Sequence, residues 1–210
     1  MLTDNQIKER ILSKAEEMFF QFGFSKVTMD EIAAELGMSK KTLYKFFQSK
    51  EQLLRILLSD IKCEVTEYID TLFADKEMDF VEKLRKMMNY IGKQSSKFKG
   101  PFVHDLQKTI PDCWHDINEF RTKHAHDKFE QLLDEGIAKG TFRADIDKEL
   151  MVLIYVNTIH ALINPDFLAQ VPYSASQVFE TVIKIIFEGI LSEEGRVKYI
   201  SQQIQETDNQ

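Results

Sequence analysis

Apolar residues recur at steps of three and four along most of this chain, with polar residues between them. Ile7, Ile11, Ala15, Met18, Phe19 and Phe22 form the first such stripe and predict an amphipathic helix. Gly23 stands where a left-handed residue would close it, with Phe24 behind to pack back. Thr28-Met29-Asp30-Glu31 is a capping box, with Val27 and Ile32 at its two staple positions, so a second helix starts at Met29. It is short, because Gly37 breaks the pattern. Ser39 caps another short helix, from Lys40 to about Phe47, with Met38 and Leu43 as its staple. Ser49-Lys50-Glu51-Gln52 repeats the box and opens a long helix carrying Leu53, Leu54, Leu57, Ile61, Val65, Tyr68 and Leu72. Some ~20 residues of helix would span about 30 Å.

The remainder predicts more helices. Phe80, Leu84, Met87, Met88 and Ile91 mark one, ending in a loop over 97–101. Phe102, Val103, Leu106 and Ile110 mark a short one before Pro111. Cys113, Ile117, Phe120, His124, Leu132, Leu133 and Ile137 mark a long one closed by Gly140, and Leu150 to Ile163 another, stopped by Asn164-Pro165. Ser174-Ala175-Ser176-Gln177 is a third box, for a last helix to about Leu191. After Gly195 the chain turns polar and is expected to fray. The organisation expected is a helix-turn-helix domain over 1–50, a helical domain over 51–195 and a polar tail over 196–210.

Composition narrows this further. Eight Gly and 4 Pro in 210 residues are too few for the turns of an all-β sandwich or barrel. The two cysteines, Cys63 and Cys113, make no disulfide framework and are expected as small buried hydrophobes in a reducing compartment. The N-terminus lacks a cationic stretch followed by an apolar one, and the longest apolar run, Met151 to Val156, falls far short of the ~18 residues a membrane span needs. A soluble, cytoplasmic protein without membrane contact is expected.

Net charge is −7, which by itself argues against nucleic acid as a partner. Its distribution reverses that reading. Residues 1–50 hold 8 Lys+Arg against 7 Asp+Glu, net +1, which leaves 19 against 27, net −8, for the rest. Between Met38 and Lys50 stand four lysines (Lys40, Lys41, Lys45 and Lys50) and no acid. Two short helices around a glycine turn, preceded by a stabilising helix, are what a helix-turn-helix needs. Ile32, Ala33 and Leu36 face inward from the first, and Leu43 and Phe47 from the second. A basic short helix with an aromatic on an otherwise acidic chain is an electrostatic footprint for phosphate.

The run from Phe24 to Leu53, and within it the string Gly37-x-Ser39-x-x-Thr42-Leu43-Tyr44-x-x-Phe47-x-Ser49-Lys50-Glu51, resembles the signature of the tetracycline-repressor (TetR) family. The motif-level resemblance covers roughly residues 7–60. Beyond it the likeness lies in helix order and in the turn Gly140-Thr141-Phe142-Arg143-Ala144-Asp145-Ile146-Asp147. It implies an all-α fold, with an N-terminal three-helix helix-turn-helix domain joined by a long helix to a C-terminal ligand-binding and dimerisation domain. It also implies double-stranded operator DNA, a small-molecule effector and a homodimer as partners, and the role of a repressor released by its effector. Tyr44 and Lys50 match positions that contact phosphate, and Thr28 would hold a phosphate at a helix start. Ser39, Lys40, Lys41, Thr42 and Lys45 match positions that meet the major groove. Phe46 stands where family members often carry Tyr or His.

The last predicted helix supports a dimer independently, because Val178, Phe179, Val182, Ile183, Ile185, Ile186, Phe187, Ile190 and Leu191 wrap most of its circumference. With Leu150 and Ile154 of the preceding helix, residues Val178, Val182, Ile185 and Ile186 are the expected isologous four-helix interface. For the effector, Phe80, Met87, Met88, Phe102, His104, Trp114, Asn118, Tyr155, Asn157 and His160 are candidates: large, adaptable or polar groups on apolar helices, suited to a lipophilic ligand or to ordinary core. Asp112, His115 and Glu119 fall at helical spacing, but no metal-binding string accompanies them, and neither metal nor cofactor is expected. His124 reads as a satisfied core histidine. The alternatives are an adaptor that uses the helix-turn-helix to bind protein, and an all-helical enzyme. For the enzyme, Cys113 lacks the base and orienting group that nucleophilic catalysis needs.

Overall fold

The start of most helices is set by a side chain that accepts the first free N–H groups. The computed structural model describes residues 3–98, 100–168 and 170–207. Among them are eleven helices: α1 (Asp4–Phe22), α2 (Met29–Glu35), α3 (Lys40–Phe46), α4 (Lys50–Ala74), α5 (Phe80–Lys97), α6 (Gly100–Thr109), α7 (Pro111–Ala138), α8 (Lys148–Leu162), α9 (Pro165–Leu168), α10 (Ala175–Ile190) and α11 (Glu193–Thr207). No strand occurs in the described residues; a single bridge joins Phe142 to Leu191. Complete capping boxes open α1 (Thr3 with Gln6), α2 (Thr28 with Glu31) and α10 (Ser174 with Gln177). At α4 the box is half made. The Gln52 N–H donates to Ser49 Oγ at 3.0 Å, but Gln52 Oε1 takes the N–H of Gln48, one residue before the cap.

Several expectations are corrected. Gly23 has the positive φ of 91° that favours glycine, but ψ is 152°, so it closes α1 outside the left-handed helical well that was expected. Helix α4 runs 25 residues, past Leu72 to Ala74. The polar segment after Gly195 does not fray at once: it lies in α11, which continues to Thr207, while 208–210 are outside the described residues. The Ser192 hydroxyl explains that start, since it accepts the N–H of Gly195 at 2.9 Å and donates to the Gly140 carbonyl at 2.6 Å. Cys113 is buried, whereas Cys63 is exposed on α4.

The helices divide into two compact units. Unit 1 takes residues 1–67 and 97–119, and unit 2 takes 68–96 and 120–210. The expected 1–50 domain lies within unit 1, together with 51–67, α6 and the start of α7. Its core runs from Ile11, Ala15 and Phe19 through Ile32, Leu43, Phe47, Leu53 and Leu54 to Phe102, Leu106 and Ile117. Burying each such large side chain contributes roughly 1.5–3 kcal/mol before ordering entropy is set against it.

Unit 2 has an aromatic centre. Phe142 meets Phe80 edge-on at 5.2 Å and stacks with Phe187 at 5.7 Å. Lys83 is fully buried there and donates to Glu135 Oε1 and Oε2 at 2.8 and 3.0 Å. Burial alone would push the Glu135 carboxyl up. Hydrogen bonds from Lys83 and Lys139 outweigh it and hold the carboxyl below its ordinary value.

Candidate functional site

At the tip of unit 1, α2 ends and α3 begins within four residues. The Gly37 N–H reaches the Ala34 carbonyl at 3.0 Å and the Met38 N–H reaches the Ala33 carbonyl at 2.9 Å. This double bond pattern is a Schellman ending, and Gly37 supplies its left-handed φ of 65°. Ser39 Oγ then accepts the Thr42 N–H at 3.0 Å and opens α3. Leu43 and Phe47 are buried beneath, which leaves Lys40, Lys41, Tyr44 and Lys45 exposed.

The candidate DNA-contacting side chains are not all equally free. Lys41 carries no ion pair among the described residues, and Tyr44 is 40% exposed. Lys45 lies 3.9 Å from Asp4 and 5.2 Å from the Phe46 ring, in a loose exposed pair. Lys40 is held 2.8 Å from Asp30 on α2, and this hydrogen bond pulls its ammonium above the ordinary range. The Ser39 and Thr42 hydroxyls share a hydrogen bond of 2.8 Å.

Thr28 and Lys50 are engaged within the chain. The Thr28 N–H and O–H both donate to Glu31 Oε2, at 2.8 and 2.9 Å, and the Glu31 N–H returns to Thr28 Oγ1 at 3.2 Å. The backbone and side-chain hydrogen bonds from Thr28 hold the Glu31 carboxyl below its ordinary range, so an anion already sits at the start of α2. Lys50 turns inward. Its Nζ donates to the Phe24 and Val27 carbonyls at 2.9 and 2.8 Å and lies 4.3 Å from the Phe24 ring centroid. Burial pushes this ammonium down, partly offset by the charges of Asp105 and Glu31. Lys50 therefore ties the α1–α2 loop to α4 and sets the position of Thr28, with its charge spent on carbonyls.

The ten effector candidates do not gather in one place. Phe102, His104, Trp114 and Asn118 belong to unit 1, where Phe102 is fully buried and packs on Phe20 at 4.6 Å. Trp114 is packed against the unit 1 core, and His104 is exposed. Phe80, Met87, Met88, Tyr155, Asn157 and His160 belong to unit 2. Phe80 and Met87 are core, and Met88 is half-buried. Asn157 and His160 are exposed, Asn157 bonding back to the Leu153 carbonyl at 2.8 Å. Tyr155 is buried against Phe129 at 4.2 Å, and burial pushes its phenol up to about 12.

Sequence pattern missed two polar groups of unit 2, Gln94 and Arg121, and misread a third, His124. Gln94 Oε1 and His124 Nε2 are buried without a hydrogen-bond partner among the described residues. His124 is thus not the satisfied core histidine expected; it stacks on Phe120 at 5.2 Å, and burial lowers its pKa. Arg121 is half-buried with no ion pair among the described residues, and burial pushes its guanidinium down. The one available signal was the placement of Arg121 and His124, three apart, on a stripe otherwise apolar.

The six interface candidates also separate. Leu150, Ile154 and Ile185 are 54%, 45% and 66% exposed, and Leu153 beside them is 49% exposed. Val182 and Ile186 are buried within the protomer and Val178 is half-buried. Helices α8 and α10 pack on each other and leave this apolar strip uncovered. Asp112 is paired with Arg55 at 2.5 Å, and among the described residues no group of acids, His and Cys could hold a metal. No helix of the described residues is long and apolar enough to cross a membrane.

The chain is similar to known proteins in sequence and in fold. Residues 11–57 match the model of "Bacterial regulatory proteins, tetR family". The chain is 26% identical over 186 residues to the uncharacterized HTH-type transcriptional regulator YvaF of Bacillus subtilis, covering 89% of this chain and 96% of that one. It is 27% identical over 197 residues to the HTH-type transcriptional repressor KstR2 of Mycolicibacterium smegmatis, covering 90% and 92%. Its fold is similar to that of the fatty acid degradation regulator FadR from Bacillus halodurans, with a TM-score of 0.59 and 22% identity over 87% of this chain and 95% of that one.

Proposed function

We infer that this chain, which belongs to the tetR family of bacterial regulatory proteins, regulates transcription by binding operator DNA through α3 and leaving it when unit 2 binds a small effector. The observation that carries this reading is the tip of unit 1, where Lys41, Tyr44 and Lys45 stand exposed on a short helix fixed by two caps and the Gly37 turn. Lys41 and Lys45 supply phosphate or guanine-edge contacts, Tyr44 a phosphate contact, and Ser39, Lys40 and Thr42 the adjoining groove surface. Thr28 and Lys50 act by holding the start of α2 in place. A cytoplasmic location goes with this reading.

The exposed strip of Leu150, Leu153, Ile154 and Ile185 supports a homodimer built on α8 and α10. Two recognition helices so paired must match half-sites about 34–36 Å apart. A lipophilic effector suits this reading, supported by the aromatic interior of unit 2 and by the likeness to a regulator of fatty acid degradation. Helices α4 and α7 each contribute residues to both units, which gives an effector in unit 2 a route to recognition-helix spacing. A 100-fold preference of the effector for the released state supplies about 2.7 kcal/mol of coupling.

Fluorescence anisotropy against duplexes from the DNA flanking the protein's own gene tests the reading. Binding should fall steeply with salt, and Lys41→Ala should weaken all duplexes alike and flatten the slope by about one unit. Absent or salt-insensitive binding overturns it.

A further inference from the structure

Four lysines stand between Met38 and Lys50 at the tip of unit 1, and two of them are spent within the chain. Lys50 gives its ammonium to the Phe24 and Val27 carbonyls. Lys40, the first residue of α3, reaches back to α2, where its Nζ lies 2.8 Å from both carboxylate oxygens of Asp30. The same Nζ is 5.9 Å from the centroid of the Tyr44 ring. Lys40 therefore runs between α2 and the outer side of α3, two helices that pack directly on each other. The other two lysines are freer. Lys45 is 3.9 Å from Asp4, beyond hydrogen-bonding distance, and Lys41 has no ion pair among the described residues.

The cap of α2 is complete without Asp30, because Thr28 and Glu31 answer one another. The Lys40 and Asp30 side chains are 60% and 59% exposed, so their pairing adds little to stability. Its consequence is electrostatic. Non-specific attraction to DNA is the work of cations on phosphates, and each cation so used adds close to one unit to the salt slope. A lysine bound to a carboxylate carries no net charge toward a phosphate, and it must leave two oxygens to gain another. Base-edge contacts fix a specific complex in one register. Such a complex gains less from an additional free cation than one that settles wherever cations meet phosphates.

We propose that Asp30 is a selectivity residue of the DNA-binding tip: by holding Lys40 on α2 it keeps that lysine off phosphates, so that non-specific binding rests on Lys41 and Lys45. The proposal rests on the operator-binding reading above and adds what keeps the tip from adhering to DNA at large. Lys40 lies along the outer side of α3 beside Tyr44 and contributes surface there, with its charge cancelled.

The test uses the full-length protein and two duplexes of equal length, one from the DNA flanking its own gene and one scrambled. Fluorescence anisotropy over a salt series reads both. Asp30→Asn should bind the scrambled duplex ~3–10-fold more tightly at low salt and steepen its salt slope by about one unit per recognition helix. Its gain on the flanking duplex should be smaller, so the ratio of the two affinities falls. In Lys40→Ala/Asp30→Asn the slope on the scrambled duplex should return to that of the parent, because equal and opposite charges have been removed. Side-chain ammonium NMR needs no variant: on adding the scrambled duplex, the Lys41 and Lys45 signals should move and that of Lys40 should stay. An unchanged slope in Asp30→Asn, or an equal gain on both duplexes, overturns the proposal. So does a double variant as steep as Asp30→Asn, which would make Asp30 a repelling charge without any part for Lys40. A double variant flatter than the parent, or a Lys40 signal that moves with the other two, would put Lys40 on phosphate already and overturn it too. Each of these results leaves the operator-binding reading standing. Failure of the parent and of Asp30→Asn to bind either duplex sinks that reading, and the proposal with it.

Discussion

The tip of unit 1 and the interior of unit 2 handle polar groups in opposite ways. At the tip, each cap is answered within three residues: Thr28 by Glu31, Ser39 by Thr42, and Ser49 by Gln52. In unit 2 the buried Lys83 waits for Glu135, 52 positions away, and Gln94, Arg121 and His124 have no hydrogen bond or ion pair that answers them among the described residues. The comparison teaches where each unit's specificity lies. On the proposed reading, a surface that presents cations to an operator is held rigid by short-range bonds, while the interior proposed to respond to a ligand keeps some of its polar groups unanswered.

The largest expected effect breaks the ion pair of unit 2. Glu135→Leu leaves the fully buried Lys83 ammonium without its carboxylate and should cost about 3–5 kcal/mol in urea unfolding, with the Lys83→Met/Glu135→Leu pair recovering most of it. The same pair sets a pH dependence. Glu135 has a folded-state pKa below its ordinary 4.5, so its contribution is complete above that value and is lost as pH falls through the lower, folded one. Parent and Glu135→Gln stabilities should therefore converge in acid, below about pH 4.5.

Lys50→Met is next. It removes the donor from two carbonyls of the α1–α2 loop and should cost about 1–3 kcal/mol of stability. Because its ammonium faces inward, the salt slope of DNA binding should change less than for Lys41→Ala; an equal loss of slope would make Lys50 a direct phosphate ligand instead. Thr28→Ala loses the α2 cap, for which about 1 kcal/mol is expected, and hydrogen exchange should show the protection loss confined to the first turns of α2.

The smallest effect on protomer stability, within about 0.5 kcal/mol, is expected for Ile154→Glu and Ile185→Glu, since both side chains are exposed. Sedimentation should nevertheless show the double variant shifted to monomer. A dimer that persists would move the interface away from α8 and α10.

Much of the fold is legible in the sequence. The caps at Thr28, Ser39 and Ser174 and the turn at Gly37 lie in windows of four residues, so their bonds follow from composition and spacing alone. The start of α11 was not legible, because it depends on Ser192 reaching Gly140, 52 positions back. Exposure on α10 was also hidden: Val182, Ile185 and Ile186 read alike along the chain, and only tertiary packing within unit 2 sorts them into buried and exposed.

By itself, then, the sequence determined the helices, the capped helix-turn-helix and the basic tip of an acidic chain, since each rests on neighbours a few residues apart. Only the tertiary structure decided that Lys50 turns inward, that Lys83 has a partner and that Arg121, His124 and Gln94 have none. A long polar side chain can reach several elements, and whether it is answered depends on which helix the fold sets against it.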